Sequence, residues 1–478
     1  MLGFLILVAL LVPLFAPYSV VQAWNDPSAW TNNPKLAAPE WSEIFAGKKL
    51  PRTILLPYNG ETGGFTKARV VVDEAGQTYV TVVLRSSFSF QADAFPSEIA
   101  LYMTTVFGNQ SGTQIRMFWD RPDGEEINLF DATPTVRAPF ENTFSLTTPA
   151  IKGDPAYSVY ANIRNWLIRK NITTQTEWDQ LYPSRGGIYD SPPKAEVLLM
   201  AQLNHNMLDP YSAQVLKGTY AFRIEFQGFA RTDDANARAV IYGRVYGIAG
   251  TDGSRRDLLV ALLWGAPVAL AFGLAGALAS VLIQTILGAI SGWYGGVIDE
   301  FLQRAADFYL IIPTLPILIL LGILYRPSIY GILFVLVIFG LVGATTKVVR
   351  SIVLSVKEEQ FIEAAKSYGA SRGRILFRYI LPRVMPYTFA LIALNVPAFI
   401  FLEASLSFLG LGDPQLPTWG HIIGDAYSND ALFASRAFPS GLWWWVSFPA
   451  AGIIFTTVAF ALLGYAFDKV LNPRLREQ

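Results

Sequence analysis

The arrangement in this sequence most suited to a specific task is Glu363-Ala364-Ala365-Lys366-Ser367-Tyr368-Gly369-Ala370-Ser371-Arg372-Gly373-Arg374. The chemistry it could do is recognition of another surface rather than catalysis. Glu359 to Tyr368 are good helix formers, Gly369 can take the left-handed conformation that ends a helix, and Ser371 can cap the next one. Small Ala364, Ala365 and Gly369 would let another protein approach the backbone closely, with Arg372 and Arg374 beside the contact. On physics alone, a solvated hairpin and a docking element both remain open. Elsewhere, apart from Asp307 at the very start of one run, Glu403 is the only acidic side chain within a predicted apolar span; it either faces a cavity or partner, or snorkels to water from the span's outer end. Asn395 and Gln284 are uncharged candidates for lining a polar pathway. Gly288, Gly292 and Gly296, four residues apart, suit close helix packing better than ligand contact.

Other chemistries have little to work with. The chain has no cysteine and two histidines, His205 and His421, which argues against a metal centre and excludes a thiol nucleophile. His205, in Asn204-His205-Asn206, reads as a surface turn residue. No Gly-x-x-x-x-Gly-Lys-Ser/Thr run supplies a phosphate-binding loop. Acidic residues between 24 and 249 show no spacing signal and read as a solvated face, so no catalytic residue is assigned.

These candidates sit in elements that an apolar solvent must hold. Of 478 residues, 52% are hydrophobic and 15% charged, a composition too apolar for a soluble protein of this size. Thirty-seven basic residues balance thirty-seven acidic ones, so no charge excess points to nucleic acid. A bilayer span needs about 20 apolar residues. Six runs qualify: Met1–Ala23, Val268–Gly292, Ala306–Leu324, Ile329–Thr346, Val384–Leu409 and Trp443–Ala466. Leu258–Pro267 is read as a separate interfacial helix set off by Pro267. Lys347, Arg350, Lys357, Lys366, Arg372, Arg374, Arg378 and Arg383 crowd the loop at 347–383, which places it in the cytoplasm. Between the last two spans Arg436 is the single basic residue, while Lys469, Arg474 and Arg476 follow the last one. Both termini are thus expected inside and residues 24–249 outside. Val21-Gln22-Ala23 has the small residues of a cleavage site, but the absence of Lys or Arg before Lys35 favours a retained helix.

The segment 24–249 reads as a folded β-rich domain. Lys67–Asp73 and Thr78–Phe90 flank Glu74-Ala75-Gly76-Gln77, and Gln114–Asp120 and Glu126–Phe130 flank Arg121-Pro122-Asp123-Gly124. Both are hairpin patterns. Tyr220, Phe222, Ile224 and Phe226 alternate with polar or small residues, the period of a strand with one buried face. A sandwich with one helix over Ala156–Arg169 is expected.

The Glu363 run, with Ile380-Leu381-Pro382 and Pro386 at their spacing, resembles the EAA loop of the permease subunits of ABC importers. Further blocks resemble the dipeptide/oligopeptide/nickel branch, and within it the C subunit: Gly250-Thr251-Asp252 with Arg256-Asp257, Gly292-Trp293-Tyr294-Gly295-Gly296 with Asp299, Glu403-Ala404-Ser405-Leu406-Ser407-Phe408-Leu409-Gly410, and Asn472-Pro473-Arg474-Leu475-Arg476. The resemblance covers 250–476 almost continuously. Arg255 stands where that family has glycine, Pro267 where it usually has arginine, and Asn472 where it usually has aspartate.

The resemblance implies a type I importer permease fold, an α-helical integral membrane protein of six transmembrane helices over 1–23 and 250–478, into which the β-rich extracytoplasmic domain 24–249 is read as inserted between helices 1 and 2. It implies that Glu363, Ala364, Ala365, Gly369, Ser371, Arg372 and Arg374 dock an ATPase subunit, and that ATP and Mg are bound by that partner rather than here. A second homologous permease, an extracytoplasmic solute-binding protein and the lipid bilayer complete the expected partners, with peptides, nickel and oligosaccharides as possible cargo. The 24–249 domain has no counterpart to inherit a role from; docking the solute-binding protein or capping the pathway is the expectation. Other classes stay open: a membrane-tethered external enzyme or adhesin, and an ATP-independent secondary transporter.

Overall fold

The computed structural model describes the chain except for residues 75, 107–113, 133–139, 146–154, 186–187, 190–192, 326–327, 432, 434–440 and 472–478. Ala75, Arg436 and the tail from Asn472 therefore lie outside the described residues. The chain divides into two compact units, Met1–Asp26 with Leu258–Gln478, and Pro27–Asp257. The boundaries expected at 24 and 250 move because residues 250–257 are knitted into the β unit: Thr251 Oγ1 donates to Pro34 O at 2.7 Å and accepts from Ala37 N at 2.9 Å. At the other boundary, Asn25 Nδ2 donates to Pro414 O at 2.7 Å, inside the helical unit.

The helical unit opens with α1 (Leu2–Phe15) and α2 (Tyr18–Gln22) rather than the single span expected over Met1–Ala23. Ala16 is extended (φ −133°, ψ 93°). Pro17 has no N–H to continue the ladder. The 14 residues of α1 reach about 21 Å at ~1.5 Å per residue, short of a hydrocarbon core of roughly 30 Å.

The β unit contains, in order, α3 (Glu43–Ala46), β1 (Ile54–Leu56), β2 (Thr66–Glu74), β3 (Gln77–Phe90), β4 (Glu98–Val106), β5 (Gln114–Asp120), β6 (Glu126–Ala132) and β7 (Phe140–Ser145). After these come α4 (Pro155–Arg169), α5 (Gln175–Leu181), the two-residue β8 (Ser184–Arg185) and β9 (Ile188–Tyr189), α6 (Ala195–Met200), β10 (Gly218–Gly228) and β11 (Asp234–Tyr242). One sheet runs β1-β11-β4-β7 and the other β2-β3-β10-β5-β6. Alternation builds the core: Val80, Val82 and Leu84 of β3 and Tyr220, Phe222 and Ile224 of β10 share a cluster with Ile99, Leu101 and Ala237 of the other sheet. The two sheets therefore face each other as a sandwich. Both hairpins form, with Glu74 opposite Gln77 and Asp120 opposite Glu126. In the second turn Gly124 has φ +84° and Arg121 is buried, donating to Leu199 O at 2.8 Å and Ala201 O at 2.7 Å. Those carbonyls lie at the end of α6, where a helix leaves its acceptors unpaired.

Arg255 has φ +67°. A left-handed position is where glycine is free and an L side chain is strained. The arginine is held there by three contacts: its guanidinium pairs with Glu98 at 2.5 Å, donates to Asn33 O at 2.8 Å, and lies 3.9 Å from the Tyr242 ring centroid.

From Leu258 the chain is helical: α7 (Leu258–Tyr294), α8 (Gly296–Ile311), α9 (Thr314–Tyr325), α10 (Ile329–Phe339), α11 (Ala344–Lys357), α12 (Gln360–Ser367), α13 (Arg372–Ile375), α14 (Leu381–Phe408), α15 (Trp419–Ser428) and α16 (Trp443–Leu471). A π turn over Leu376–Ile380 joins α13 to α14. Among the described residues three helices are long and apolar enough to span, Leu258–Tyr294, Arg372–Phe408 and Trp443–Phe467, and five spans result if each bent pair counts once. The expected six are not reproduced because α1 is short. Ala306–Leu324 is broken: α8 and α9 meet at 75°, across Pro313. Ile329–Thr346 is broken too, α10 and α11 bending by 42° at the stretch from Gly340 to Gly343.

The interfacial helix expected over Leu258–Pro267 does not exist separately, since α7 runs through Pro267. A proline forfeits one backbone bond, and packing against neighbours keeps such a helix continuous. Here Trp264 Nε1 donates to Ala16 O at 2.9 Å and Trp419 Nε1 to Leu262 O at 3.0 Å. Trp419, on α15, is a wedge: a Cβ on Gly265 would sit 2.3 Å from its ring, and one on Gly452 2.9 Å.

Candidate functional site

Two sites emerge in the helical unit, a hairpin and a polar cleft. The hairpin is α12, the turn at Gly369, and α13. Glu359 occupies the N-cap position of α12 without a side-chain capping bond, Gly369 has φ +76°, and Ala370 N donates to Ala365 O at 3.1 Å, closing the left-handed end that the sequence signalled. Ser371 Oγ accepts from Arg374 N at 3.4 Å and caps α13. The π turn that follows is the kind of local bulge that recurs at functional positions.

The hairpin has two faces of opposite character. Ile362, Ala365, Ile375, Leu376, Ile380 and Val384 turn inward onto Val349, Val353 and Val356 of α11 and onto Trp293 of α7, forming one cluster. Lys366 and Lys357 hold their Nζ atoms 5.5 and 5.9 Å from the Trp293 ring centroid. Outward lie Glu363, Ala364, Gly369, Ser371, Arg372 and Arg374, all exposed. Of the seven residues expected at a docking surface, Ala365 alone is buried, at 8% exposure. Sequence reasoning passed over Tyr368 and Phe377, which are 92% and 58% exposed on the same element. Their signal was their type: a large aromatic in an otherwise charged hairpin. No ion pair joins Glu363, Arg372, Arg374 or Arg378 to a described residue within 4.0 Å, whereas Arg383 pairs with Glu359 at 3.2 Å.

What fixes the hairpin to the helices is the contact of α11 with α7 and α8. Arg350 reaches Asp299 through two hydrogen bonds of 2.5 Å, and Lys347 pairs with Asp307. Gly288 and Gly292 let α11 approach: a Cβ at Gly288 would lie 2.6 Å from Thr346 O, and one at Gly292 3.0 Å from Arg350 O. Gly296 is different, a positive-φ residue at the start of α8 with open space around it. The packing expected of all three glycines thus holds for two, because α7 ends at Tyr294.

The second site lies where the two broken spans meet α7 and α14. A cleft of about 200 Å³ is walled by Ser280 and Gln284 of α7, Tyr309 of α8, Thr314 of α9 and Asn395 of α14, with Phe399 and Leu402 as its apolar side. Gln284 Nε2 donates to Gly340 O at 2.7 Å, satisfying a carbonyl at the end of α10. Asn395 Nδ2 donates to Leu391 O at 2.8 Å, one turn back on its own helix. The sequence named Gln284 and Asn395; it missed Ser280, Tyr309 and Thr314. Ser280 and Gln284 are four apart on an apolar helix and so share a face, a signal that was available.

Glu403 does not border this cleft. It is 4% exposed, accepts from Ser407 Oγ at 2.7 Å, and has the Thr418 hydroxyl as a second partner. At this position it is enclosed by protein rather than exposed to water. It is closed in by α15, which lies so near α14 that a Cβ on Gly420 would be 2.4 Å from Ala404 O. His205 is exposed, with Nε2 3.3 Å from Glu177, and His421 lies 3.7 Å from Asp425.

Residues 284–477 match the sequence model of the family described as binding-protein-dependent transport system inner membrane component. The chain is 35% identical over 229 residues to the oligopeptide transport system permease protein OppC of Bacillus subtilis (strain 168), covering 48% of this chain and 72% of that protein. It is 36% identical over 228 residues to the dipeptide transport system permease protein DppC of the same strain, 48% of this chain and 68% of the other. A glutathione transport system permease protein, GsiD of Pectobacterium atrosepticum, is 31% identical over 228 residues, with 72% of its length covered.

Proposed function

The chain belongs to the binding-protein-dependent transport inner membrane component family, the permeases of ABC importers, and on that premise we propose that it forms half of a peptide translocation pathway driven by a separate ATPase. The observation that carries the coupling half of this reading is the hairpin. Its inner face is packed into the helical unit while its outer face offers Glu363, Ala364, Arg372 and Arg374 with no ion pair to a described residue. An exposed charge without an internal partner is free to meet a complementary one on another protein.

In the cycle we propose, ATP and Mg are held by two ATPase subunits, and their closure pushes on α12 and α13. The cluster around Trp293 passes the displacement to α7, α11 and α14 as a rigid-body movement. Hydrolysis belongs to the partners, and this chain contributes no catalytic residue. A second homologous permease supplies the other half of the pathway, and an extracytoplasmic solute-binding protein delivers cargo. The basic loop favours the hairpin on the cytoplasmic side and the termini inside, and counting six spans from there puts residues 24–249 outside. Six spans remain the reading for the assembled subunit, with α1 completing the set despite its length. Peptides lead as cargo because the relatives above are named for oligopeptides, dipeptides and glutathione.

Glu363→Lys tests the coupling. Co-purified from membranes, the variant should retain at most about a tenth of the wild-type ATPase, since reversing one charge at an interface costs several kcal/mol. Membrane insertion should be unchanged. Full retention of the ATPase would remove the docking role of Glu363.

A further inference from the structure

We infer that the cleft between α7, α8, α9 and α14 is a binding subsite for an uncharged amide, sized for about one peptide unit and its small side chain. The inference deepens the reading of the chain as a peptide permease and rests on it for the identity of the cargo.

The first observation is an orphan. Ser280 is 3% exposed, and its buried Oγ has no hydrogen-bond partner while it borders the cleft. A hydroxyl in that state is unfavourable unless something in the cleft bonds to it. Depth sharpens the point. Ser280 lies four residues from the midpoint of α7, and Asn395 lies at the middle of α14. Polar side chains at that depth face protein or a polar cavity, not hydrocarbon.

The second observation is backbone. Both broken spans reach the cleft, through Thr314 at the start of α9 and Gly340 at the end of α10. Irregular backbone at membrane depth is tolerated where it is buried or lines a polar cavity. Glycine at these breaks keeps room: a Cβ at Gly340 would come within 3.3 Å of Ser280 Oγ, and one at Gly343 within 3.3 Å of Gln284 Oε1.

The donor set then selects the ligand. Ser280, Tyr309 and Thr314 bring hydroxyls, and Gln284 and Asn395, each with one N–H already donating to a backbone carbonyl, keep an amide oxygen to accept and a second N–H to donate. No Asp, Glu, Lys or Arg is among the described residues lining the cleft, so nothing there compensates an ionic group. A peptide unit carries one N–H and one C=O and no charge, which this mixed set can pair. Phe399 and Leu402, on the same face of α14 as Asn395, suit an apolar Cβ. The volume of about 200 Å³ exceeds the ~30 Å³ share of a single water and falls below the ~300 Å³ of a site for a whole drug-sized ligand.

The chain has no cysteine, so Ser280→Cys places a single thiol in the cleft. The full-length variant in lipid nanodiscs is treated with a neutral, a cationic and an anionic methanethiosulfonate, and its rates are referred to Tyr368→Cys on the exposed hairpin. The neutral reagent should react, and both charged reagents should be slower by about tenfold or more relative to the control, as for a site that cannot solvate an ion. N-acetyl-alanine-N-methylamide at twice its dissociation constant should slow the neutral reaction about threefold. N-acetyl-lysine-N-methylamide should not. Ala398→Cys, at the rim of the same cleft, repeats the measurement with a residue that makes no side-chain hydrogen bond.

Equal rates with the charged reagents, or no protection by the alanine amide in either variant, overturn the inference and leave a cleft that holds water alone. ATP-driven peptide uptake with no protection would sink the subsite and spare the permease reading. Protection in a chain whose complex takes up no peptide would do the reverse.

Discussion

Glu196 is a residue whose surroundings contradict its type. The acidic residues between 24 and 249 were expected on a solvated face, yet Glu196 is 4% exposed within a short helix whose other five residues are all buried. Burial pushes its carboxyl up from 4.5 to about 7, with Lys194 and Arg244 opposing and Glu98 assisting. Its Oε2 has no hydrogen-bond partner. The folded pKa is raised, so the folded state binds the proton more tightly than the unfolded chain does. The resulting stabilisation is complete below about pH 4.5 and is lost as pH rises through about 7. At ~1.36 kcal/mol per unit, the span is about 3 kcal/mol. Glu196→Gln should therefore gain on wild type at pH 8 and lose the difference at pH 4.5. Thermal unfolding of the β unit's tryptophan signal at both pH values measures it, and parallel pH profiles would falsify the assignment. Nothing in the spacing around Glu196 marked it, because burial of one glutamate depends on what the rest of the sandwich leaves open.

At the scale of elements, small residues and helix breaks decide how the spans pack. The four-residue spacing of Gly288, Gly292 and Gly296 was legible as close packing, but its partner was not. The structure names α11, and assigns Gly296 to a turn with φ +58° instead. Gly288→Ala should cost about 1–3 kcal/mol, because its Cβ would meet backbone rather than a side chain that can swing away. Gly296→Ala has open space and should lose only about 1 kcal/mol, the cost of a left-handed L residue. Detergent-stability curves of the two variants should differ in that order; equal losses would show that α7 and α11 relax around the new methyl. The bends at Pro313 and in the Gly340–Gly343 stretch escaped a reading by hydropathy, which sums apolar character along a run and is blind to direction. The same blindness hid α15, a helix of ten residues too short and too polar to register as a span.

For the whole molecule, the division into a β unit of Pro27–Asp257 and a helical unit gives a cleaner cut than the composition did. The segment 250–257, which resembles the family in sequence, belongs structurally to the β unit through Thr251, Asp252 and Arg255. Arg255 occupies a left-handed position suited to glycine and is held by Glu98, a residue of β4. Within the β unit, Glu98 therefore supplies the partner that holds an arginine in that conformation. Deleting Pro27–Asp257 should leave a chain that inserts in the membrane and keeps its ATPase while losing capture of the solute-binding protein, assayed by pull-down from the assembled complex. Undiminished capture would rule out a docking role for the β unit.

Local order in this chain is written in local pattern. Alternation dictated the hairpins at 67–90 and 114–130, apolar runs dictated which half meets lipid, and Gly369 with Ser371 dictated a two-helix turn, because each depends on neighbours a few residues away. Tertiary structure alone decided that Ala365 turns inward, that Glu403 is sealed by α15, and that Ser280, Thr314 and Asn395 border one cleft. Those outcomes require segments from about 15 to about 115 residues apart to meet, and no short window of sequence records which surfaces will be left to meet them.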